Sequence, residues 1–222
     1  MEKYQRNIAY WNAVFQKIQP KQVETRSTGQ VEVDAGLDWL CSGSKTLLDF
    51  GCGSGTMLFK CSLRGTQVHI GIDNSAQGIE LAKASQELMT LGEFTFIVGG
   101  ADYLKNLPDH SIDSVILSNI LDNLIPDDAH LLLKQVQRIL VNCGKVFLKL
   151  NPYLTDEQIQ KWDIKVIEGN FLDDGLFLWN QTTEEWRAML TQYFSELDFK
   201  DIYYPEHDQY NRLFLLVNSL AS

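Results

Sequence analysis

Five short apolar runs alternate with helix-like segments over the middle of this chain. The runs are residues 46–50, 67–72, 94–98, 114–118 and 145–150, and each has the length and apolar content of a buried strand. The segments between them repeat apolar residues every three or four positions, as amphipathic helices do. This alternation predicts an α/β fold built on a parallel sheet.

Two helices are predicted ahead of the first strand. Residues 3–18 place Ile8, Trp11 and Phe15 at helical spacing, and residues 31–41 form a second, shorter apolar pattern. The polar segment between the two helices is predicted to be a loop or a hinge.

The last third of the chain departs from simple alternation. Asp173-Asp174-Gly175 indicates the turn of a small hairpin between residues 164–167 and 176–179. The elements predicted after this hairpin are a helix over residues 183–194 and two strands over residues 199–204 and 213–218.

We predict a single domain over residues 1–222, because no linker, repeat or low-complexity tract interrupts the chain. Its parts are cover helices at 1–44, a core at 45–150, an insertion and helix at 151–198, and a final strand pair at 199–218.

The most informative stretch joins the first strand to the helix that follows it. It reads Asp49-Phe50-Gly51-Cys52-Gly53-Ser54-Gly55. Glycine tolerates positive φ and lets a ligand lie against the backbone, and the next helix offers unpaired N–H groups at its start. The dinucleotide fingerprint G-x-G-x-x-G is not met, because Thr56 stands where its last glycine is required. Taken alone, the stretch is also compatible with a tight turn that binds nothing.

The pattern D-x-G-x-G-x-G resembles the first motif of the class I S-adenosylmethionine-dependent methyltransferases. Gly71-Ile72-Asp73-Asn74 resembles the second motif, and Asp73 lies about twenty residues after the glycines, where an acid that binds ribose hydroxyls is expected. In that family an acid after the third strand accepts from the adenine amino group, and Asp102 with the preceding Ala101 matches its position. The alternative for both acids is ordinary capping. The cofactor-binding residues that follow from the resemblance and from the end of the fourth strand are Asp49, Gly51, Cys52, Gly53, Gly55, Asp73, Asn74, Ala101, Asp102, Ser118 and Asn119.

The resemblance also implies a fold and a reaction. The fold is a Rossmann-like three-layer α/β sandwich with a mostly parallel seven-stranded sheet of order 3-2-1-4-5-7-6. Its strand 7 is antiparallel, the N-terminal helices cover the fold, and a small insertion follows strand 5. The reaction is a direct in-line displacement that moves a methyl group from S-adenosylmethionine to an acceptor and leaves S-adenosylhomocysteine. Two other hypotheses stay open: a non-catalytic nucleotide-binding module and an NAD-dependent oxidoreductase.

The sequence defines the site of the methyl acceptor less well than the site of the cofactor. Tyr10, Trp11, Tyr153 and Trp179 are aromatic residues of the kind that line pockets for planar ligands, and packing in the core is the alternative for each. His207 and Tyr153 are weak candidates for a catalytic base, and an exposed loop histidine is the alternative for His207. Suitable oxygen ligands are not evident, so no metal site is predicted.

The net negative charge of the chain argues against some classes of binding partner. The chain carries 29 acidic against 19 basic residues, a formal charge of −10, without a Lys/Arg cluster. Nucleic-acid binding usually leaves a basic footprint, so we expect a small-molecule acceptor and no nucleic acid. The four cysteines lack metal-ligand spacing and are expected to be reduced thiols. No apolar stretch is of membrane-spanning length, and we expect a cytoplasmic protein.

Overall fold

A seven-stranded sheet is the centre of the computed structural model, which describes residues 2–219. The strands, in chain order, are β1 Thr46–Phe50, β2 Val68–Asp73, β3 Glu93–Val98, β4 Ile112–Ser118, β5 Leu140–Leu150, β6 Lys165–Glu168, β7 Phe171–Asp173, β8 Phe177–Trp179, β9 Ser195–Tyr204 and β10 Gln209–Val217. The helices are α1 Gln5–Phe15, α2 Val31–Cys41, α3 Thr56–Ser62, α4 Ala76–Gln86, α5 Pro126–Ile139, α6 Asp156–Lys161 and α7 Thr183–Leu190.

The central sheet has the order β3-β2-β1-β4-β5-β10-β9. The strands from β1 to β5 pair in parallel, and β10 pairs antiparallel with both β5 and β9. The predicted order, with its last strand antiparallel, is confirmed. Because β9 therefore runs parallel to β5, the loop after β9 opens at the same sheet edge as the loops after β1, β2 and β4.

Alternate side chains of each strand enter two separate apolar layers, as the period of two requires. Val115 and Leu117 of β4 belong to the cluster that includes α5 and α7, whereas Ile116 belongs to the cluster that includes α2, α3 and α4. Helix α2 lies so close to the sheet that a Cβ on Gly36 would come within 2.8 Å of the Phe147 ring. These are the three layers of the predicted sandwich. Within residues 2–219, no helix is long and apolar enough to cross a membrane.

The insertion after β5 differs from the predicted hairpin. It is a three-stranded antiparallel sheet of order β6-β7-β8, in which the strand Phe171–Asp173 pairs with both neighbours. The middle strand was missed because Gly169 and Gly175 frame it closely, and turn residues so near each other leave only a short apolar run.

Helix α1 crosses the carboxyl edge of the sheet and is held at two places. Arg6 forms a bidentate ion pair with Asp173 of β7, with N–O distances of 2.6 and 2.9 Å. Tyr4 donates its hydroxyl to Asp128 of α5 at 2.5 Å, and Lys3 pairs with the same carboxylate. The N-terminal helix is therefore fixed to two elements that are more than 120 residues away in the chain.

Candidate functional site

A cavity of about 180 Å³ lies beneath α1, at the carboxyl ends of β1, β2 and β4. Ligands of open α/β sheets bind at this edge. The cavity-lining residues among those predicted for the site are Gly51, Gly53, Asp73, Asn74, Ser118, Asn119 and Trp11.

The glycine loop after β1 has the conformation that only glycine adopts easily. Gly51, Gly53 and Gly55 have φ values of +80°, +51° and +75°. A Cβ on Gly53 would lie 2.7 Å from the Phe15 ring, at the cavity. A Cβ on Gly55 would instead lie 2.7 Å from the Phe96 ring, so the third glycine permits packing of α3 on the sheet and does not line the cavity. Cys52 is buried, and its backbone N–H donates to Ile72 at 3.1 Å.

Asp73, the last residue of β2, holds two backbone segments with one carboxylate. Its Oδ2 accepts the N–H of Gly53 at 2.8 Å, and its Oδ1 accepts the N–H of Ser75 at 2.7 Å. Burial raises the pKa of Asp73, and the two N–H groups oppose that rise. A carboxylate offers about four lone-pair sites, so each oxygen can still accept a hydroxyl from a ligand.

Asp49 lies behind the loop and not in the cavity wall. It is 2% exposed, and burial together with the charge of Asp73 raises its pKa to about 8. Burial therefore disfavours the charged form of this carboxyl group.

The segment after β3 places the two residues predicted at the adenine end outside the cavity wall. Ala101 and Asp102 begin a 3-10 helix over Ala101–Asn106, and the Asp102 side chain is 88% exposed and pairs with Lys105 at 2.6 Å. Gly99 is the residue of this segment that reaches the cavity. The predicted contact between Asp102 and adenine stays a prediction.

The end of β4 contributes a chain of three amides. Asn119 has a positive φ of 54° and donates its Nδ2 to Asn151 Oδ1 at 2.7 Å. Asn151 donates its own Nδ2 to Asn123 Oδ1 at 2.9 Å. The Oδ1 atom of Asn119 is buried and has no hydrogen-bond partner within residues 2–219. Such an atom costs free energy until a ligand donor or a water reaches it.

The roof of the cavity is one stripe of α1 together with Tyr4, the residue before this helix. It consists of Trp11, predicted from the sequence, and of Tyr4, Asn7, Ile8 and Phe15, which were not assigned to the site. Four-residue steps from Trp11 to Asn7 and Phe15 mark this stripe, and that spacing is the signal that could have found them. Tyr10 is one residue, about 100°, away from Trp11 on the helix and is 51% exposed.

The remaining acceptor-side candidates lie away from the cavity. Tyr153 is 41% exposed on the loop after β5. Trp179 packs against Trp186, with ring centroids 5.2 Å apart, and donates its Nε1 to Asn170. His207 lies in the exposed turn after β9, and β9 is three strands from β4, or roughly 14 Å at ordinary strand spacing.

Together, the sheet order, the glycine loop after β1 and the acid at the end of β2 define a Rossmann-like fold of the methyltransferase type. Residues 42–192 match the family model described as "Methyltransferase domain". The chain belongs to this family, and the predicted resemblance is confirmed.

Known proteins are similar to this chain at low identity. The tRNA N(3)-methylcytidine methyltransferase trm140 of Schizosaccharomyces pombe is 23% identical over 185 residues, which cover 79% of this chain and 60% of that protein. A SAM-dependent methyltransferase from Methanosarcina mazei superposes with a TM-score of 0.67 at 20% identity, covering 80% of this chain and 94% of that one. The 1,6-didemethyltoxoflavin-N1-methyltransferase of Burkholderia thailandensis was solved with 1,6-didemethyltoxoflavin and S-adenosylhomocysteine. It superposes with a TM-score of 0.64 at 14% identity, covering 87% of this chain and 80% of that one. The chain thus spans about three fifths of the length of the curated relative.

The residues of the cavity fit S-adenosylmethionine, the cofactor of this family. The cofactor carries ribose hydroxyls and amino groups as donors, and the carboxylate of Asp73 in the cavity wall has free lone pairs that can accept them. The buried Oδ1 atoms of Asn74 and Asn119 lack hydrogen-bond partners within residues 2–219. The glycine loop leaves room for a ligand against its backbone. When bound, the cofactor supplies an activated methyl group on a sulfonium.

Proposed function

We propose that this protein methylates a small-molecule acceptor with S-adenosylmethionine. The single observation that carries the proposal is the cavity under α1, which runs along the sheet edge from Asp73 to Asn119 and is roofed by Trp11. A donor and an acceptor held in line in such a space need alignment and exclusion of water more than they need a catalytic side chain.

The charge around the roof supports a small, non-polyanionic acceptor. The formal charge is −10, and Lys3 and Arg6, two basic residues at the start of the N-terminal helical segment, are paired with Asp128 and Asp173. Binding of a phosphate backbone relies on unpaired Lys and Arg side chains.

Cofactor binding and transfer are tested in two steps. Isothermal titration with S-adenosylmethionine, S-adenosylhomocysteine and NAD comes first, and binding of NAD alone would favour the oxidoreductase hypothesis and reject the methyltransferase. Incubation with methyl-labelled cofactor and a fraction of small metabolites comes second. Binding without transfer to any fraction would favour a non-catalytic module.

A transfer RNA acceptor is the second candidate function, because the match to the S. pombe enzyme covers 79% of this chain. The same labelling experiment separates the two candidates when total tRNA is supplied in a parallel reaction. Label that becomes acid-soluble only after ribonuclease treatment would favour tRNA and contradict the small-molecule proposal.

A further inference from the structure

Lys149 lies one residue before the end of β5, on the sheet face that packs against α2. It pairs with Ser118 of β4 and Leu213 of β10, and alternation places it on the same face as Phe147. The Lys149 Nζ lies 5.6 Å from the centroid of the ring of Tyr204, the last residue of β9. Because β9 runs parallel to β5, this amine reaches the carboxyl edge of the sheet, and Lys149 does not line the cavity.

The amine of Lys149 differs from the other partly buried lysine amines in its lack of a hydrogen-bond partner. Three lysines of residues 2–219 are not fully exposed, namely Lys60, Lys145 and Lys149. Lys60 and Lys145 each donate Nζ to two backbone carbonyl groups. Among the described residues, no acceptor lies within hydrogen-bond distance of the Lys149 Nζ, and no carboxylate lies within ion-pair distance. Lysines are rarely buried without a partner, so this amine indicates a role other than packing.

The surroundings of Lys149 favour the neutral form of its amine. Burial lowers its pKa to about 8, and the negative charge of Asp122 opposes this shift. The titratable groups on the same face of β9 are Tyr204, whose pKa is raised by burial, and Lys200, whose ammonium pairs with Asp198 at 3.1 Å. About half of the Lys149 amine is therefore neutral at pH 8, compared with less than about 1% for an ordinary lysine.

The neutral amine of Lys149 has a lone pair that can attack an electrophile. The side chain is partly exposed, so a small molecule can reach Nζ from the carboxyl edge of the sheet. Lysines that lose hydration in this way become nucleophiles. Burial also lowers the pKa of Lys60 and Lys145, but the two carbonyl acceptors of each favour the charged form and hold the nitrogen. Reactivity is therefore expected at Lys149 and not at the other two.

We infer that Lys149 is a modification site at which small activated acyl donors, thioesters or acyl phosphates, acylate the protein. The amine lone pair attacks the acyl carbonyl carbon and forms the new N–C bond. The C–S or C–O bond then breaks, its electron pair leaves with the thiolate or the phosphate, and the amine proton passes to water. The product is a neutral amide, so the modification removes one positive charge from the carboxyl edge of the sheet. This chemistry is independent of methyl transfer.

The test measures acylation at each lysine of the folded protein. The protein is incubated at pH 8 with acetyl phosphate or, in a parallel reaction, with acetyl-coenzyme A, and the acetylated fraction at each lysine is followed by peptide mass spectrometry. We expect Lys149 to react on the order of tenfold faster than the exposed Lys134, because the gain in neutral amine is partly offset by the weaker nucleophilicity of a less basic amine. Lys60 and Lys145 should react no faster than Lys134. Fast labelling by either donor supports the proposal and identifies the class of donor.

A matched pair of variants tests whether the missing partner makes Lys149 reactive. Tyr204→Glu replaces the ring by a carboxylate that can pair with the ammonium, whereas Tyr204→Gln has the same size and no charge. Both changes open the site to the same extent, so their difference reports the charge alone. We expect Lys149 to react roughly tenfold more slowly in Tyr204→Glu than in Tyr204→Gln, because the carboxylate favours the protonated amine.

Unfolding of the parent protein provides the second control. In concentrated urea the rates at Lys149 and Lys134 should become equal, since the burial that favours the neutral amine is lost. A rate at Lys149 no higher than that at Lys134 in the folded protein would overturn the proposal, as would a preference for Lys149 that persists in urea. Equal rates in the two Tyr204 variants would also contradict it. If those variants do not fold, the comparison of folded and unfolded parent decides the question by itself.

Discussion

Asp73 Oδ2 accepts the backbone N–H of Gly53 at 2.8 Å, so the last residue of β2 holds the centre of the glycine loop that follows β1. The other oxygen of the same carboxylate holds Ser75 at the start of α4. One side chain thereby orders two loops of the cavity and still has lone pairs for a ligand. We therefore expect a change at Asp73 to alter stability as well as binding.

Replacement of Asp73 by alanine should lower cofactor affinity and the melting temperature together. Two backbone N–H groups lose their acceptor, at about 1–3 kcal/mol each if they stay unpaired, and the ribose contact is lost. We expect S-adenosylhomocysteine to bind on the order of ten- to a hundredfold more weakly by calorimetry, with Asp73→Asn intermediate. Asp102→Ala is the control, since this exposed carboxylate should affect melting little. Unchanged affinity in Asp73→Ala would mean that the cofactor register is wrong.

Gly53→Ala should destabilise the protein for two separable reasons. The residue has a φ of +51°, and its Cβ would meet the Phe15 ring at 2.7 Å. Gly29→Ala is a matched control, because Gly29 has a φ of +86° and nothing within 4 Å of its Cβ position. In chemical denaturation, we expect Gly29→Ala to lower the free energy of unfolding by roughly 1–2 kcal/mol and Gly53→Ala to lower it clearly more. Phe15→Ala in the Gly53→Ala background should recover the excess, and no recovery would place the strain elsewhere.

The ion pair between Arg6 and Asp173 should control how fast the cofactor enters. A cavity of about 180 Å³ is smaller than the 300–1,000 Å³ of most ligand sites, and we expect α1 to move outward when the cofactor enters. Arg6→Ala should raise the association and dissociation rates of S-adenosylhomocysteine in stopped-flow measurements by up to about fivefold, the range of an exposed ion pair. Added salt should raise both rates in the parent protein, because it screens the ion pair, and should change them less in the variant.

The control for this prediction is Arg187→Ala, which breaks the pair with Glu196 at 3.0 Å between α7 and β9, away from the roof. It should leave both rates unchanged. An equal acceleration in the two variants would show general loosening and not opening of α1.

Asp49 should make stability depend on pH in a defined direction. Burial and the charge of Asp73 raise the pKa of Asp49 to about 8 in the folded protein, whereas the unfolded pKa is about 4. Its contribution is fully present below the unfolded pKa and is lost as the pH rises through the folded one. The Asp49→Asn variant does not titrate at this position and avoids the loss. Its free energy of unfolding relative to the parent should therefore increase between pH 5 and 8, by on the order of a few kcal/mol. The exposed Glu168→Gln is the control for charge removal, and parallel pH curves for parent and Asp49→Asn would contradict the assignment.

The central sheet could be predicted from the sequence because its signals are local. Strand Thr46–Phe50 and helix Val31–Cys41 have the predicted bounds, and the Ser75 side chain caps α4 as its residue type implies, accepting from Gly78. The sheet order followed from recognition of the family and not from periodicity. At the sheet edge, β9 begins earlier than predicted, because the mostly polar segment 195–198 pairs with β10 as an exposed strand that the apolar pattern does not reveal.

The roof could not be predicted in the same way, since it depends on how distant elements meet. Periodicity placed Trp11 on an apolar face but did not show that this face covers the site. Trp179 is aromatic and close in sequence to a turn, yet its packing on Trp186 depends on where the insertion folds back. The orientation of the Asn119 amide, whose Oδ1 has no partner within residues 2–219, depends on a hydrogen bond to Asn151, 32 positions away.

The floor and the roof of the cavity come from different parts of the chain. The floor is formed by loops of the central sheet, whereas the roof is α1, tied through Arg6 to an insertion that begins after β5. We therefore expect substitutions in α1 or in β6–β8 to change which acceptor fits, while the nucleotide contacts proposed at Asp73 stay as they are. For protein engineering, α1 and the insertion are two segments that could be exchanged as a matched pair.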